Sequence, residues 1–272
     1  MKKLELEGKV AIVTGAGRMR GIGRASANTL AKMGADVVIT GTGRNPKSFP
    51  EDEKKVNWND IYSTASEVES YGRISLPIIT NVTEINSVNN LISKTMEKFG
   101  RVDILVNNAA APFGADRVPV IELDQKVFEK VLMVKVIGTF LCSKAASIEM
   151  IKQGEGGRII NLSSSAGKTG SPNMAAYNAS NFAIDGFTQA LSKELASKKI
   201  TVNSVCPGLT ETARMDPMGR KEKWAKRIEQ IPLGRVAEDN EIAELIGFLS
   251  TDRASYITGQ SININGGTVT ER

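Results

Sequence analysis

Histidine does not occur in the 272 residues. Its absence removes Ser-His-Asp hydrolysis, imidazole general bases and His-ligated zinc, and it leaves tyrosine, lysine and the carboxylates to move any proton. Cysteine occurs twice, as Cys142 and Cys206. Two thiols build neither a disulfide framework nor a thiolate metal site, so no metal is expected and both read as buried and inert. Aromatic residues make up only 5% of the chain, and the excess of basic over acidic residues, 35 against 30, is small and dispersed. Nucleic-acid binding, which needs a concentrated basic stripe with stacking rings, is therefore not expected. No apolar run reaches about eighteen residues, and the start lacks a basic segment followed by an apolar one. Neither membrane insertion nor secretion is expected, and a cytoplasmic location follows.

What is present is a regular alternation of short apolar runs with amphipathic stretches. Strands are expected at Lys9–Val13, Asp36–Thr40, Ile74–Ile79, Val102–Val106, Arg158–Leu162, Ile200–Val205 and Gln260–Ile264, with helical patterns between them. This order gives an α/β fold, a doubly wound sheet of about seven parallel strands with helices on both faces. The 41% hydrophobic content suffices for one core and no break in composition divides the chain, so residues 1–272 are expected as a single domain. The stretch 45–60 is polar, broken by proline and mixed in charge. It reads as a surface excursion, with Trp58 pinning it down or joining a subunit contact.

The first strand runs into Thr14-Gly-Ala-Gly-Arg-Met-Arg-Gly-Ile-Gly23 and then into an amphipathic helix. Strand, glycine turn and helix in that order make a dinucleotide cradle. Gly15, Gly21 and Gly23 let backbone approach a pyrophosphate, and the helix beginning at Ile22 presents unpaired N–H groups to it. Arg18 or Arg20 could lie near the phosphates. NAD-selective sites place a carboxylate at the end of the second strand to hold the ribose hydroxyls. This chain has Gly41, then Thr42 and Arg44 there. Either NADP or NAD is accommodated, with a lean toward NADP.

The stretch Asn161–Asn181 carries the chemistry. A buried strand ends in three serines and an Ala-rich helix follows, with Tyr177 and Asn181 on one helical face. Here the chain closely resembles the short-chain dehydrogenase/reductase family, whose signature is Tyr-x-x-x-Lys with a Ser thirteen residues upstream. Ser164 and Tyr177 have that spacing. Asn181 stands where the family has Lys, and Lys135 stands where it usually has Asn. The two positions have exchanged residues. The resemblance extends over nearly the whole chain and implies a Rossmann-like fold and a homotetramer. It places Asn81 and Val82 beside the adenine, in place of the usual Asp-Val. It also places Asn108 and Ala109, within a variant of Asn-Asn-Ala-Gly, as braces of the sheet near the cofactor. Pro207, Gly208 and Thr210 fall in the loop that touches the nicotinamide end, and 211–234 in the substrate lid.

What the resemblance implies is an NAD(P)-dependent oxidoreductase interconverting a secondary alcohol and a ketone. Tyr177 would be the acid/base, and Ser164 would polarise the oxygen. A free tyrosine holds its proton to a pKa of ~10, so it needs a nearby cation. Asn181 can replace the hydrogen bonds of the family's lysine to the ribose but not its charge, and Lys135 entering from the adjoining helix would restore one cation and one amide to the site. The alternative is a catalytically inactive dinucleotide-binding subunit partnering an active relative. Basic residues of the lid, Arg214 and Arg220 among them, are mostly a solvated face, though an anionic substrate could use one or two.

Overall fold

Four consecutive buried apolar residues form β1 (Val10–Val13) in the computed structural model, which describes residues 4–271 apart from the side chain at 223. Successive side chains leave a strand on opposite faces, so Ala11 and Val13 enter one core and Val10 and Ile12 the other. A strand buried on both faces belongs in a parallel sheet covered by helices on both sides. The other strands are β2 (Asp36–Gly41), β3 (Ser75–Ile79), β4 (Ile104–Asn107), β5 (Gly157–Leu162), β6 (Ile200–Pro207), the short β7 (Thr210–Glu211) and β8 (Ala237–Glu238), and β9 (Ser261–Ile264). Seven form one parallel sheet in the order β3-β2-β1-β4-β5-β6-β9, and β7 pairs with β8. The order reverses between β1 and β4. A crevice opens at the C-terminal ends of such a pair.

The helices are α1 (Ile22–Lys32), α2 (Glu51–Lys55), α3 (Asp60–Ser70), α4 (Ile85–Phe99), α5 (Gln125–Leu132), α6 (Gly138–Gln153), α7 (Ala175–Leu195), α8 (Glu222–Ile228) and α9 (Asp239–Leu249). One face of the sheet is covered by α1, α3 and α9 through Leu30, Ile61 and Ile246, and the other by α4, α6 and α7 through Leu91, Met150 and Leu195. The fold expected from the sequence is the one observed.

Two local features differ from expectation. The adjoining helix expected to carry Lys135 is divided by a π turn, Met133–Ile137, which contains that residue. A π turn inserts an extra residue into the helical ladder and re-aims the side chains around it. The continuous helical stretch Gln125–Gln153 is long and apolar enough to cross a membrane by length and composition. Here it is folded against α4 and α7, and it leaves Met133, Ile137, Phe140, Ile148 and Ile151 exposed.

The second difference is the stretch 45–60, which is a packed strap across the glycine turn rather than a solvated excursion. Glu53 and Asp60 are buried, at 0% and 5% exposure. Glu53 accepts from the Met19 N–H at 2.9 Å and from Arg44 Nη1 at 2.9 Å. Asp60 accepts from Arg44 Nε at 2.9 Å and from the Arg44 N–H at 3.1 Å. Trp58 pins the strap by donating from Nε1 to the Gly17 carbonyl at 2.7 Å. Two carboxylates tolerate burial there because one guanidinium and two backbone N–H groups share their lone pairs. Removing one member of such a set leaves charge uncompensated. Glu53→Ala should lower stability by roughly 3 kcal/mol or more, whereas Glu51→Ala, on an exposed pair with Lys54, should barely change it. Urea unfolding of both variants checks this, and equal losses would sink the buried-strap reading.

Candidate active site

The cradle is built by close approach between the turns after β1 and β4. Asn108 Nδ2 donates to the Thr14 and Gly15 carbonyls, each at 2.9 Å. Thr14 Oγ1 accepts from the N–H groups of Asn108 and Ala109 at 3.0 and 3.1 Å. A Cβ at Gly23 would lie 2.5 Å from that amide nitrogen and 2.6 Å from the Gly15 oxygen, so only glycine fits. Helix α1 starts at Ile22 with no side-chain cap, and its N-terminal N–H groups and positive dipole end face the crevice. Gly21 donates its N–H to Asp239 Oδ2 at 2.9 Å. Arg18 makes no hydrogen bond or ion pair among the described residues; burial, then Arg44 and Arg214, weaken its hold on its proton against the pull of Glu53 and Asp216. An uncapped helix end, a glycine-rich turn and a cation without a direct hydrogen-bond partner among the described residues fit a dinucleotide pyrophosphate. Arg20, by contrast, is committed to Asp52 at 2.6 Å and to Asp216 at 2.6 Å.

At the end of β2, where the adenosine is expected, Thr42 is exposed and Arg44 is held by the strap. One Arg44 Nη2 donates to the Gly17 carbonyl at 2.9 Å and to Glu53 at 3.3 Å, which leaves one N–H of Nη1 uncommitted. A Cβ at Gly41 would meet Ile61 Cγ2 at 2.8 Å, while Asp60 Oδ2 lies 3.8 Å from the same point. A carboxylate from α3 thus lies near the end of β2, but it is buried and committed to Arg44. Asn81 turns back on the entry to α4, accepting from the Thr83 N–H and hydroxyl and donating to Glu84. Val82 is buried. In the loop expected at the nicotinamide, Pro207 closes β6, the Gly208 N–H donates to the Ile264 carbonyl at 2.9 Å, and Thr210 Oγ1 donates to the Gly208 carbonyl at 3.1 Å.

Ser164 follows β5 and is 8% exposed; its Oγ accepts from the Ala166 N–H at 3.2 Å and so keeps its own proton to donate. Tyr177 lies in the first turn of α7. One turn on, Asn181 is fully buried; its Nδ2 donates to the Tyr177 carbonyl at 2.8 Å and its Oδ1 has no hydrogen-bond partner. Lys135 is 5% exposed and makes no hydrogen bond or ion pair among the described residues. Burial drives its ammonium down to a pKa of about 7, with Arg214 adding to the shift and Asp185 and Cys206 opposing it. Asp185 is the next position on the face of Tyr177 and Asn181, held by the Ser204 hydroxyl at 2.7 Å. Burial pushes the Cys142 thiol up to about 12 and the Cys206 thiol up to about 11, so both are inert.

The cations against Tyr177 are arginines. The Arg117 guanidinium carbon lies 4.1 Å and that of Arg214 5.1 Å from the ring centroid. Sequence reading placed Arg214 only within the lid and did not find Arg117, which sits in an aperiodic loop where no spacing marks it. Within the lid, Arg220 stacks on Trp224 at 4.1 Å and pairs with Asp216 at 3.0 Å. A separate cavity of about 650 Å³ lies at the opposite edge of the sheet, among Lys9, Asp103, Arg158 and Lys199, away from this chemistry.

The sequence profile of a family described as enoyl-(acyl carrier protein) reductase matches residues 15–269. A 3-oxoacyl-[acyl-carrier-protein] reductase from Synechocystis is 36% identical over 271 residues, covering 97% of this chain and 98% of that protein. One from Aquifex aeolicus is 38% identical over 266 residues, covering 97% and 99%. Among solved structures, a short-chain type dehydrogenase/reductase from Mycobacterium marinum superposes with a TM-score of 0.85 at 30% identity, covering 99% and 98%.

The state of Lys135 makes stability depend on pH. Its proton is held to about 7 in the folded chain and to ~10.4 in the unfolded one. Between those values the unfolded chain binds more protons, so stability rises with pH; the penalty is complete below about 7 and absent above the ordinary lysine value. Lys135→Met should therefore raise Tm clearly at pH 6 and little at pH 10. Thermal unfolding at the two pH values checks it, and an equal gain at both would remove the buried charge as the cause.

Proposed function

Because the chain belongs to the short-chain dehydrogenase/reductase family and is an oxidoreductase taking NADP or NAD, with the lean toward NADP, we propose that it interconverts a secondary alcohol and a ketone. Tyr177 exchanges the proton on the substrate oxygen, and Ser164 polarises that oxygen by donating a hydrogen bond. The nicotinamide, when bound, gives the hydride to the carbonyl carbon or takes it from the carbinol carbon. Lys135 supplies the cation and Asn181 the amide of the family's lysine and asparagine, each from the other's position. The observation that carries this reading is the buried, unpartnered ammonium of Lys135 at an inward turn of the helix beside α7. An unpaired buried charge is costly, and such costs concentrate at functional sites.

The reading has a direct test. Tyr177→Phe should abolish turnover while leaving dinucleotide binding, followed by nucleotide fluorescence, largely intact. Lys135→Met should move the rising limb of the alcohol-oxidation pH profile upward by about one to two units, as the phenolate loses a charge nearby. The double change Lys135→Asn with Asn181→Lys should recover more activity than either alone. An active enzyme whose rate and profile ignore Lys135→Met would end the exchange hypothesis. A parent protein that turns over no alcohol or ketone in a broad screen would favour the inactive dinucleotide-binding subunit.

The same reading includes a homotetramer. Its support is the apolar side chains of α6 and α7 left in solvent, including Phe140 at 42% and Phe182 at 47% exposure, which copies of the chain would cover. Phe140→Glu should shift the mass measured by light scattering toward smaller species, and an unchanged mass would move the interface elsewhere.

A further inference from the structure

Two guanidinium groups crowd Tyr177, and the chemistry above uses neither. Arg117 lies between two rings, 4.1 Å from the Tyr177 centroid and 5.0 Å from that of Phe113. Stacking engages the face of a guanidinium and leaves its in-plane N–H groups free for a planar, two-oxygen acceptor. In Arg117 those groups are unused: Nε and Nη1 are buried and lack any hydrogen-bond partner among the described residues. Its carboxylate neighbour does not satisfy it. Asp116 reaches Nη1 only at 3.4 Å, and its own Oδ1 is also buried without a partner. Arg214 enters from the 211–234 segment, where Nε and Nη2 donate to the single Ala111 carbonyl at 3.3 and 3.2 Å.

The charge around the ring is also out of balance. Burial first, and then Arg214 among the neighbouring charges, makes it harder for Arg18, Arg117 and Lys135 each to carry a proton, with Asp116 opposing the shift at Arg117. A buried cation with free donors beside other cations is stabilised by an anion that fits between them. A dinucleotide pyrophosphate answers Arg18 at the glycine turn, but Arg117 sits at the proton-transferring tyrosine, where only the substrate arrives.

We propose that the substrate is a short oxo acid, or the matching hydroxy acid in the reverse direction, whose free carboxylate is held by Arg117 with Arg214 beside the carbonyl that Tyr177 protonates. The inference rests on the oxidoreductase reading and adds the substrate class to it. A carrier-bound thioester would place no charge near the reacting carbon and would leave Arg117 as unsatisfied as it is now. The carboxylate passes through the reaction unaltered, so the redox balance is the one already given. Arg117 and Arg214 are positioning residues for the substrate.

The test compares short 2-oxo and 3-oxo acids with their methyl esters and with a 3-oxoacyl thioester, using purified protein with NADPH or NADH. Acids should exceed their esters in kcat/KM by roughly tenfold to a hundredfold, since a site that binds a charged group rejects the analogue lacking it. Arg117→Met should lower kcat/KM for the acid by a much larger factor than for the ester, chiefly through KM, and Arg117→Lys should recover part of the loss. Esters or thioesters turned over as well as acids, or equal losses for acid and ester in Arg117→Met, overturn the proposal while leaving the oxidoreductase reading in place. Should Arg117→Met not fold, the acid-to-ester ratio of the parent protein and of Arg117→Lys decides. If no ketone is turned over, the catalytic reading falls, and calorimetric titration of the same acids and esters into cofactor-loaded protein judges the carboxylate site. Acid binding weakened by Arg117→Lys sustains it, and no preference for the acid removes it.

Discussion

The Asn108 amide, donating to two carbonyls of the turn after β1, ties the two halves of the sheet together where its strand order reverses. Helix packing can hold each half in shape but does not set how closely the two C-terminal turns approach. That spacing comes from an amide that needs two acceptors and from a glycine at position 23 that leaves room for it. The N-terminus of α1 is thereby aimed into the crevice, and Ser164 and Tyr177 lie two strands away on the same edge. The glycine turn and the Ser164–Tyr177 pair share one edge because parallel strands all end there.

Around that frame the site collects more positive charge than its own carboxylates answer. Most acidic side chains nearby are committed, Glu53 and Asp60 to Arg44, Asp52 and Asp216 to Arg20, and Asp185 to Ser204 and Lys168, while Asp116 meets Arg117 only at 3.4 Å. Arg18 and Lys135 keep no such partner among the described residues. The ligand-free chain therefore bears a cost that anionic ligands relieve, and the relief appears as binding free energy. Cofactor and substrate are coupled through Arg214, a common neighbour of Arg18 and Arg117. If the proposed carboxylate binds at Arg117, neutralising one cation would remove repulsion felt by the others, and each ligand would favour the binding of the next.

Much of this was legible in the sequence, and the rest had physical reasons to be hidden. Strand runs such as Ile200–Val205 and the amphipathic spacing of α4 express burial directly, so the fold followed from pattern. Ser164, Tyr177 and Asn181 were read from resemblance to the family's signature, and the glycine turn from its place between a strand and a helix. The strap was misread because Pro46, Pro50 and a run of charges look solvated until a glycine turn and one arginine are found to absorb Glu53 and Asp60. The π turn at Lys135 leaves no trace in a 3.6-residue periodicity. Arg117 was invisible because its role depends on stacking between Phe113 and Tyr177, which are four and sixty residues away.

The arginines also change what is asked of Lys135. A phenolate at Tyr177 needs positive potential, and the nearest sources are the guanidinium groups of Arg117 and Arg214. Lys135 differs from them in being able to titrate, since burial brings its proton into the neutral range. A permanent cation can stabilise the phenolate without passing a proton, whereas a lysine poised near neutrality can both stabilise it and return the proton to solvent. If a carboxylate substrate occupies Arg117, part of the permanent field at Tyr177 is cancelled when the substrate binds, and the demand on Lys135 grows at that moment. The exchange of lysine and asparagine thus makes physical sense in a site whose arginines serve the substrate. The charge that tunes the tyrosine then comes from the helix across from it, clear of the groups that hold the carboxylate.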